Sequence, residues 1–232
     1  MSTRHNGIDV IGDTHGSFHA LAEWTERGDA QTLIHVGDVG IGFSGVLDKC
    51  KSLGMMLHDM GKIAFFIRGN HDDPAYFDGR SYGNLHLVPD YSRIKTDTGS
   101  ILCVGGGISL DRTARTAGAG YWPGERFRFD PTMIGDDPIT HVVTHTANLA
   151  WTGLQRKTYF VDSWCKVDST LREDIDEESN NMAFFHREIY DRGHRPLKWF
   201  YGHFHQSKII ELQGTTFIGL AENEIQPLSL QN

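Results

Sequence analysis

Leu33 to Phe43 reads LIHVGDVGIGF, an apolar run with β-branched residues that stops at Gly37, presents Asp38 and continues into glycine-rich chain. An apolar run followed by Gly-Asp predicts a buried strand that delivers a carboxylate to the edge of a sheet. Asp38 alone would mean little, since Gly-Asp at a strand end is often only a turn. It gains weight because four other apolar runs end in the same way: in GDTHG (Gly12–Gly16), GNHD (Gly69–Asp72), THT around His145 and GHFH (Gly202–His205). Asp38 is expected to be the hub of the cluster these ends form.

Outward from that stretch, short apolar runs alternate with amphipathic ones. Gly7 to Ile11 predicts a strand and Ser17 to Arg27 a helix burying Phe18, Leu21 and Ala22; a second helix is expected within Val46 to Met60, before a strand at Ile63 to Ile67. Three strand-then-polar-loop units in a row imply crossover connections and a largely parallel sheet. From Leu85 to Val104 short strands separated by turn residues read as antiparallel sheet, and Ile108 to Pro138 as a long loop without a period. Ile139 to Thr144 and Lys198 to Tyr201 are further strands. The acidic run Glu173 to Ser179 leads into a helix reaching Tyr190, and Ser207 to Leu220 reads as a hairpin.

With 232 residues, 39% hydrophobic and 22% charged, and no repeat or linker, the chain 1–232 is expected to form a single domain. The net charge of −8 argues against a broad grip on nucleic acid or an anionic membrane, so extended nucleic-acid binding is disfavoured and a local phosphate group preferred. Cys50, Cys103 and Cys165 are scattered and odd in number, which suits reduced thiols and a cytoplasmic setting. Neither a signal peptide nor an apolar stretch of about twenty residues is expected.

In open α/β sheets, loops beyond the carboxyl ends of strands converge on one crevice, so all five polar strand ends can face one cavity. Carboxylate, imidazole and carboxamide together suit Mn, Fe, Zn, Co or Ni, whereas Ca or Mg prefers oxygen ligands alone. Asp13, His15, Asp38, Asn70, His145, His203 and His205 exceed the needs of one tetrahedral site. Two ions about 4 Å apart, sharing a carboxylate, would clamp a phosphate and activate water. That arrangement predicts phosphoester hydrolysis.

The ordered set GDTHG, GDVG, GNHD, VVTHT and YGHFH, running from Asp13 to His205, resembles the calcineurin-like metallophosphoesterases. The resemblance implies a four-layer αββα sandwich of two mixed β-sheets flanked by helices, and a dinuclear centre for which manganese is favoured. By that match Asp13, His15 and His205 hold one ion, Asn70, His145 and His203 the other, and Asp38 bridges both. His71 matches the histidine that serves the leaving group, with Asp72 as its orienting neighbour.

The phosphoprotein phosphatase branch carries GDxVDRG and GNHE, whereas this chain has GDVGIGF and GNHD, so Ile41 and Gly42 stand where that branch places an acidic residue and a phosphate-gripping arginine. Phosphate must then be gripped from elsewhere. The segment GGGISLDRTAR offers Arg112 and Arg115, which can fork onto phosphate oxygens; the bland alternative is a solvated surface loop. A phosphomonoesterase is the favoured expectation. A phosphodiesterase or nuclease is the alternative, GNHD being the form more often met there, and a catalytically silent protein-binding module is the alternative of another class.

Overall fold

Val10 and Ile11 are adjacent in sequence, fully buried, and packed in different cores. The same split recurs at Leu33 and Ile34, Val142 and Val143, and Trp199 and Phe200. Successive side chains of a strand point to opposite faces, so unbroken apolar runs are what strands covered on both faces require. Burying Trp199 and Phe200 completely makes each worth about 3–5 kcal/mol against truncation to alanine.

The computed structural model describes residues 7–153 and 159–228. Its elements in chain order are β1 (Ile8–Ile11), α1 (His19–Arg27), β2 (Thr32–His35), α2 (Val46–Asp59), β3 (Ile63–Phe66), β4 (Ser81–Tyr82), β5 (Leu85–Leu87), β6 (Ser92–Thr96) and β7 (Gly99–Val104). There follow β8 (Thr116–Ala117), β9 (Gly120–Tyr121), β10 (Ile139–Thr144), α3 (Leu149–Thr152), α4 (Tyr159–Cys165), α5 (Leu171–Asp191), β11 (Lys198–Tyr201), β12 (Lys208–Leu212), β13 (Thr215–Gly219) and β14 (Ile225–Pro227). One six-stranded sheet has the order β14-β1-β2-β3-β5-β4 and the other β12-β13-β11-β10-β7-β6, while β8 and β9 form a small pair. The four inner strands of each sheet run parallel and the edge strands antiparallel, so both sheets are mixed.

Three cores make four layers. Leu21 and Trp24 of α1, with Cys50, Leu53 and Leu57 of α2, pack on Ile11 and Leu33 of the first sheet. Met182, Phe185 and Ile189 of α5, spaced to share one helical face, pack with Trp151 on Leu102, Val142 and Trp199 of the second. Between the sheets lie Val10, Ile34, Cys103, Val143 and Phe200. The αββα sandwich expected from the resemblance is therefore the fold. Among the described residues no helix is long and apolar enough to cross a membrane.

The antiparallel reading of Leu85 to Val104 needs correction. β5 runs parallel to β3 and β7 parallel to β10; only the pairs β4–β5 and β6–β7 are antiparallel. Turn residues reveal a local hairpin, but the sheet that Leu87 or Val104 joins is decided by burial against distant strands. α3, α4 and β14 were too short to show a period. The Ile108–Pro138 stretch carries only short turns and the β8–β9 pair, as its lack of pattern implied.

Candidate metal centre

β1, β2 and β3 are parallel in one sheet and β10 and β11 are parallel in the other, so the loops that follow them leave from corresponding edges. These loops carry Asp13 and His15, Asp38, Asn70 and His71, His145, and His203 and His205. The backbone turns sharply to present them. His15, Asp38, His203 and His205 all have positive φ, at 45°, 59°, 66° and 51°, a conformation that costs a non-glycine residue on the order of 1 kcal/mol and clusters at functional sites. Two glycines serve close approach: a Cβ on Gly69 would stand 2.0 Å from Asp38 Oδ1, and one on Gly202 2.0 Å from Asp13 Oδ1.

Asp13, His15, Asp38 and His205 bring one ligand atom each within 4.8 Å of one another, a group that could hold a metal ion. His15 Nε2 lies 3.0 Å from His205 Nε2, and His205 Nε2 lies 3.1 Å from Asp13 Oδ2. Asp13 Oδ1 is buried with no hydrogen-bond partner among the described residues. Burial raises the pKa of Asp13 and, well above its usual value, that of Asp38, which is further raised by the charges of Asp13 and Asp72. Two buried carboxylates whose charge is thus disfavoured call for a cation.

In the other half the hydrogen positions follow from the partners of each ring and amide. His145 Nδ1 lies 2.9 Å from the Val36 carbonyl, which can only accept, so Nδ1 carries the hydrogen. Burial holds the His145 pKa well below its usual value, so the ring is neutral and Nε2 presents a lone pair. That lone pair faces Asn70 Oδ1 at 2.9 Å and Asp38 Oδ1 at 3.4 Å. Asn70 is oriented by its own partners: Nδ2 donates to Ser109 Oγ at 3.0 Å, while Ser109 donates to Glu125 Oε2 at 2.9 Å. The amide oxygen is thereby turned towards His145 and towards His203 Nδ1, 2.8 Å away. Acceptors facing acceptors across a buried gap are the donor set of a divalent cation, and Asp38, with Oδ1 beside His145 and Oδ2 4.0 Å from His15, touches both halves.

The calcineurin-like phosphoesterase family model matches residues 7–207. The chain belongs to the calcineurin-like phosphoesterase family. It is accordingly a metal-dependent phosphoester hydrolase, of a family typically dependent on a dinuclear metal centre. No curated protein matches the sequence. The fold resembles that of TT1561 of Thermus thermophilus, at TM-score 0.53 and 11% identity over 97% of this chain and 99% of that one. It also resembles a candidate 5'-nucleotidase of Staphylococcus aureus in complex with alpha-ketoglutarate, at TM-score 0.50 and 14% identity over 95% of this chain and 50% of that one.

In this phosphoesterase His71 sits at the rim of the cluster, its Nε2 3.9 Å from Asp38 Oδ2. Arg115 Nη1 lies 2.6 Å from His71 Nδ1, and Arg115 Nε donates to Asp111 at 2.7 Å. Burial, with the Arg115 charge second, lowers the His71 pKa to about 4. Two expectations are corrected. Asp72 does not orient His71: its carboxylate accepts from the backbone N–H groups of Asp38, Gly40, Ile41 and Gly69 at 2.7–2.8 Å, clamping the second and third motif loops together. Arg112 does not reach the cluster with Arg115, because Asp168, Thr170 and Asp174 take its guanidinium at 2.6–3.2 Å.

The gap at Gly42 has a physical reason. Its φ is +106°, and a Cβ there would stand 2.5 Å from Trp122 Cζ2. No arginine fits, and Arg115 occupies the neighbourhood of His71 instead. Sequence reading missed Ser109, Glu125 and His35. The His35 ring is buried beneath the first two motifs, hydrogen-bonded to Thr14 Oγ1 at 3.0 Å and accepting from Gly37 N at 3.1 Å. Its place in the strand LIHV, two residues before Gly37, was the available signal.

Proposed function

We propose that the chain acts as one domain that holds two divalent ions, through Asp13, His15 and His205 on one side and Asn70, His145 and His203 on the other with Asp38 shared, and hydrolyses a small phosphoester. The observation that carries this reading is the meeting of the His145 Nε2 lone pair with Asn70 Oδ1 and Asp38 Oδ1, three acceptors without a donor among them. The mixed nitrogen and oxygen donors support manganese or another borderline divalent ion. Unpaired, buried Cys50 and Cys103 support a cytoplasmic setting. Bound divalent ions withdraw charge from the phosphate and lower the pKa of water.

The chain's own groups do the rest. Arg115 is always charged and only donates, so its 2.6 Å contact makes His71 Nδ1 an acceptor and places the ring hydrogen on Nε2. With a pKa of about 4, His71 is neutral near pH 7 and offers Nε2–H to the departing oxygen. Arg115 then has its remaining N–H groups for a non-bridging phosphate oxygen. The expected preference for monoesters rests on net charge, which limits the length of an anionic partner and does not choose between one organic arm and two.

The reading is tested by turnover of p-nitrophenyl phosphate and its bis ester with added Mn²⁺. Wild type is expected to hydrolyse at least one of them only with metal, and His71→Gln to lower kcat by about 10²–10³-fold at unchanged metal content. A folded, metal-loaded chain that turns over neither ester is instead a silent binding module.

A further inference from the structure

Two cavities flank the candidate centre and meet at His71 and Arg115, which line both. The first, of about 580 Å³, also reaches Asp38, Asn70 and His203. Its far walls include Leu110, Leu149, Val161, Trp164, Ile175 and Phe204, all half-buried apolar side chains. The second, of about 670 Å³, begins at His15 on the opposite side and runs as a groove along Gly16, Gly40, Phe43, Ala119 and Gly120. Each is within the range of about 300–1,000 Å³ that holds a whole organic ligand.

A phosphate group fills neither. A monoester has one organic arm, which would occupy one cavity and leave the other to solvent. Among the described residues lining either cavity, Arg115 is the sole lysine or arginine, while Asp38, Asp111 and Glu178 are carboxylates. Arg112 and Arg126 are turned away, paired with Asp168, Asp174 and Glu177. Among the described residues Arg115 is thus the one lysine or arginine side chain where the two cavities meet.

We propose that the substrate is an organic phosphodiester with its phosphorus beside the hydrogen-bonded His71–Arg115 pair where the two cavities meet, an apolar or aromatic arm in the cavity walled by Leu149 and Trp164, and a second arm in the groove beside Phe43 and Ala119. This rests on the phosphoesterase reading of the centre. The reaction adds water across one ester bond. The water oxygen bonds to phosphorus, the bond from phosphorus to one arm's oxygen breaks, and a water proton ends on the departing alcohol. A phosphomonoester of the other arm remains.

The test pairs turnover with binding on the full chain containing Mn²⁺. Wild type is expected to hydrolyse bis(p-nitrophenyl) phosphate with a kcat/KM at least tenfold above that for p-nitrophenyl phosphate. In calorimetry it should bind diphenylphosphinate, a diester mimic that cannot be cleaved, at least tenfold more tightly than phenylphosphonate. Leu149→Trp and Ala119→Trp, which fill one cavity each, should both weaken diphenylphosphinate at least tenfold, whereas only one of them should weaken phenylphosphonate. If either variant fails to fold by circular dichroism, the two wild-type comparisons decide. Equal or better turnover of the monoester, or equal or tighter binding of the phosphonate, overturns the diester proposal and leaves the phosphoesterase reading intact. Turnover of neither ester overturns both.

Discussion

His145 and His205 reach the same cluster from loops that follow β10 and β11, yet they are held in opposite ways. His145 is fully buried, its Nδ1–H fixed by the Val36 carbonyl, and its neighbour Asn70 is fixed by Ser109 and Glu125. His205 is 41% exposed, and its Nδ1 lies 3.1 Å from the half-exposed carboxylate of Glu222. Hydrogen bonds inside the protein therefore set ring and amide orientation in one half, whereas in the other the outer partner of His205 is a carboxylate in contact with water. Preorganised groups lose less freedom on binding an ion. The half with Asn70, His145 and His203 should thus be the tighter site, and the half with Asp13, His15 and His205 the one that fills last.

Removing what the halves share gives the largest effect. Asp38→Asn should lower kcat by at least about 10³-fold and cut bound metal in both halves, since the bridging charge is lost to each. Unfolding would not explain the loss. Burial raises the Asp38 pKa well above its usual value, so an amide removes a disfavoured charge and the metal-free melting temperature should not fall. Elemental analysis beside thermal denaturation reads both outcomes; an Asp38→Asn protein retaining two tightly bound ions would remove Asp38 from the bridge.

The next effect separates the halves. Ser109→Ala frees the Asn70 amide to rotate, so affinity for the tighter ion should fall by about 10–100-fold while the weaker site stays nearly unchanged. Calorimetric titration distinguishes this from a uniform loss. Restoring the acceptor with Ser109→Thr should recover most of the affinity.

Acid sharpens the comparison at a smaller scale. The hydrogen bond from His205 to Asp13 is the main cause raising the His205 pKa above 6.5, whereas burial lowers that of His203 to about 3 and that of His145 well below 6.5. A ligating imidazole must be neutral, so as the pH falls protons compete for His205 before they compete for His145 or His203. Affinity at the weaker site should therefore fall before that at the tighter one as the solution is acidified, turning a two-ion isotherm into a one-ion isotherm. Simultaneous loss of both ions would mean that the halves are not held differently.

Much of this was legible in the sequence, for reasons that also mark where legibility ends. The strand ends at Asp13, Asp38, Asn70, His145 and His203 could be read because apolar runs, glycine and residue type are local signals. The positive φ of His15, Asp38, His203 and His205 has only a faint signature in the sequence, since Asp and His adopt it more readily than most residues but still seldom. Arg112 and Arg115 looked equivalent three residues apart. They were separated by Asp168 and Asp174, more than fifty positions away, which claim one of them. Ser109 and Glu125 lie in the stretch without a period, and their role exists only once Asn70 is placed beside them. Asp72 was misassigned because adjacency to His71 in sequence says nothing of which way a carboxylate turns; four backbone N–H groups at 2.7–2.8 Å decide it.

The smallest predicted effect is the one that most directly checks the open half. Glu222 is the outer partner of His205 as Val36 is of His145, but it is 52% exposed and holds its histidine through water-screened charge. Exposed pairs of this kind are worth about 0.2–1 kcal/mol, which corresponds to a change of less than about fivefold in affinity. Glu222→Gln should therefore weaken the ion held by His205 by no more than that, with the effect shrinking further in high salt, and should leave the tighter site untouched. Ser109→Ala, acting at the same remove from its ion, should exceed it several-fold. If Glu222→Gln costs as much as Ser109→Ala, then exposure does not distinguish the two halves. Orientation in the open half would then come from this carboxylate as firmly as orientation in the closed half comes from Ser109 and Glu125.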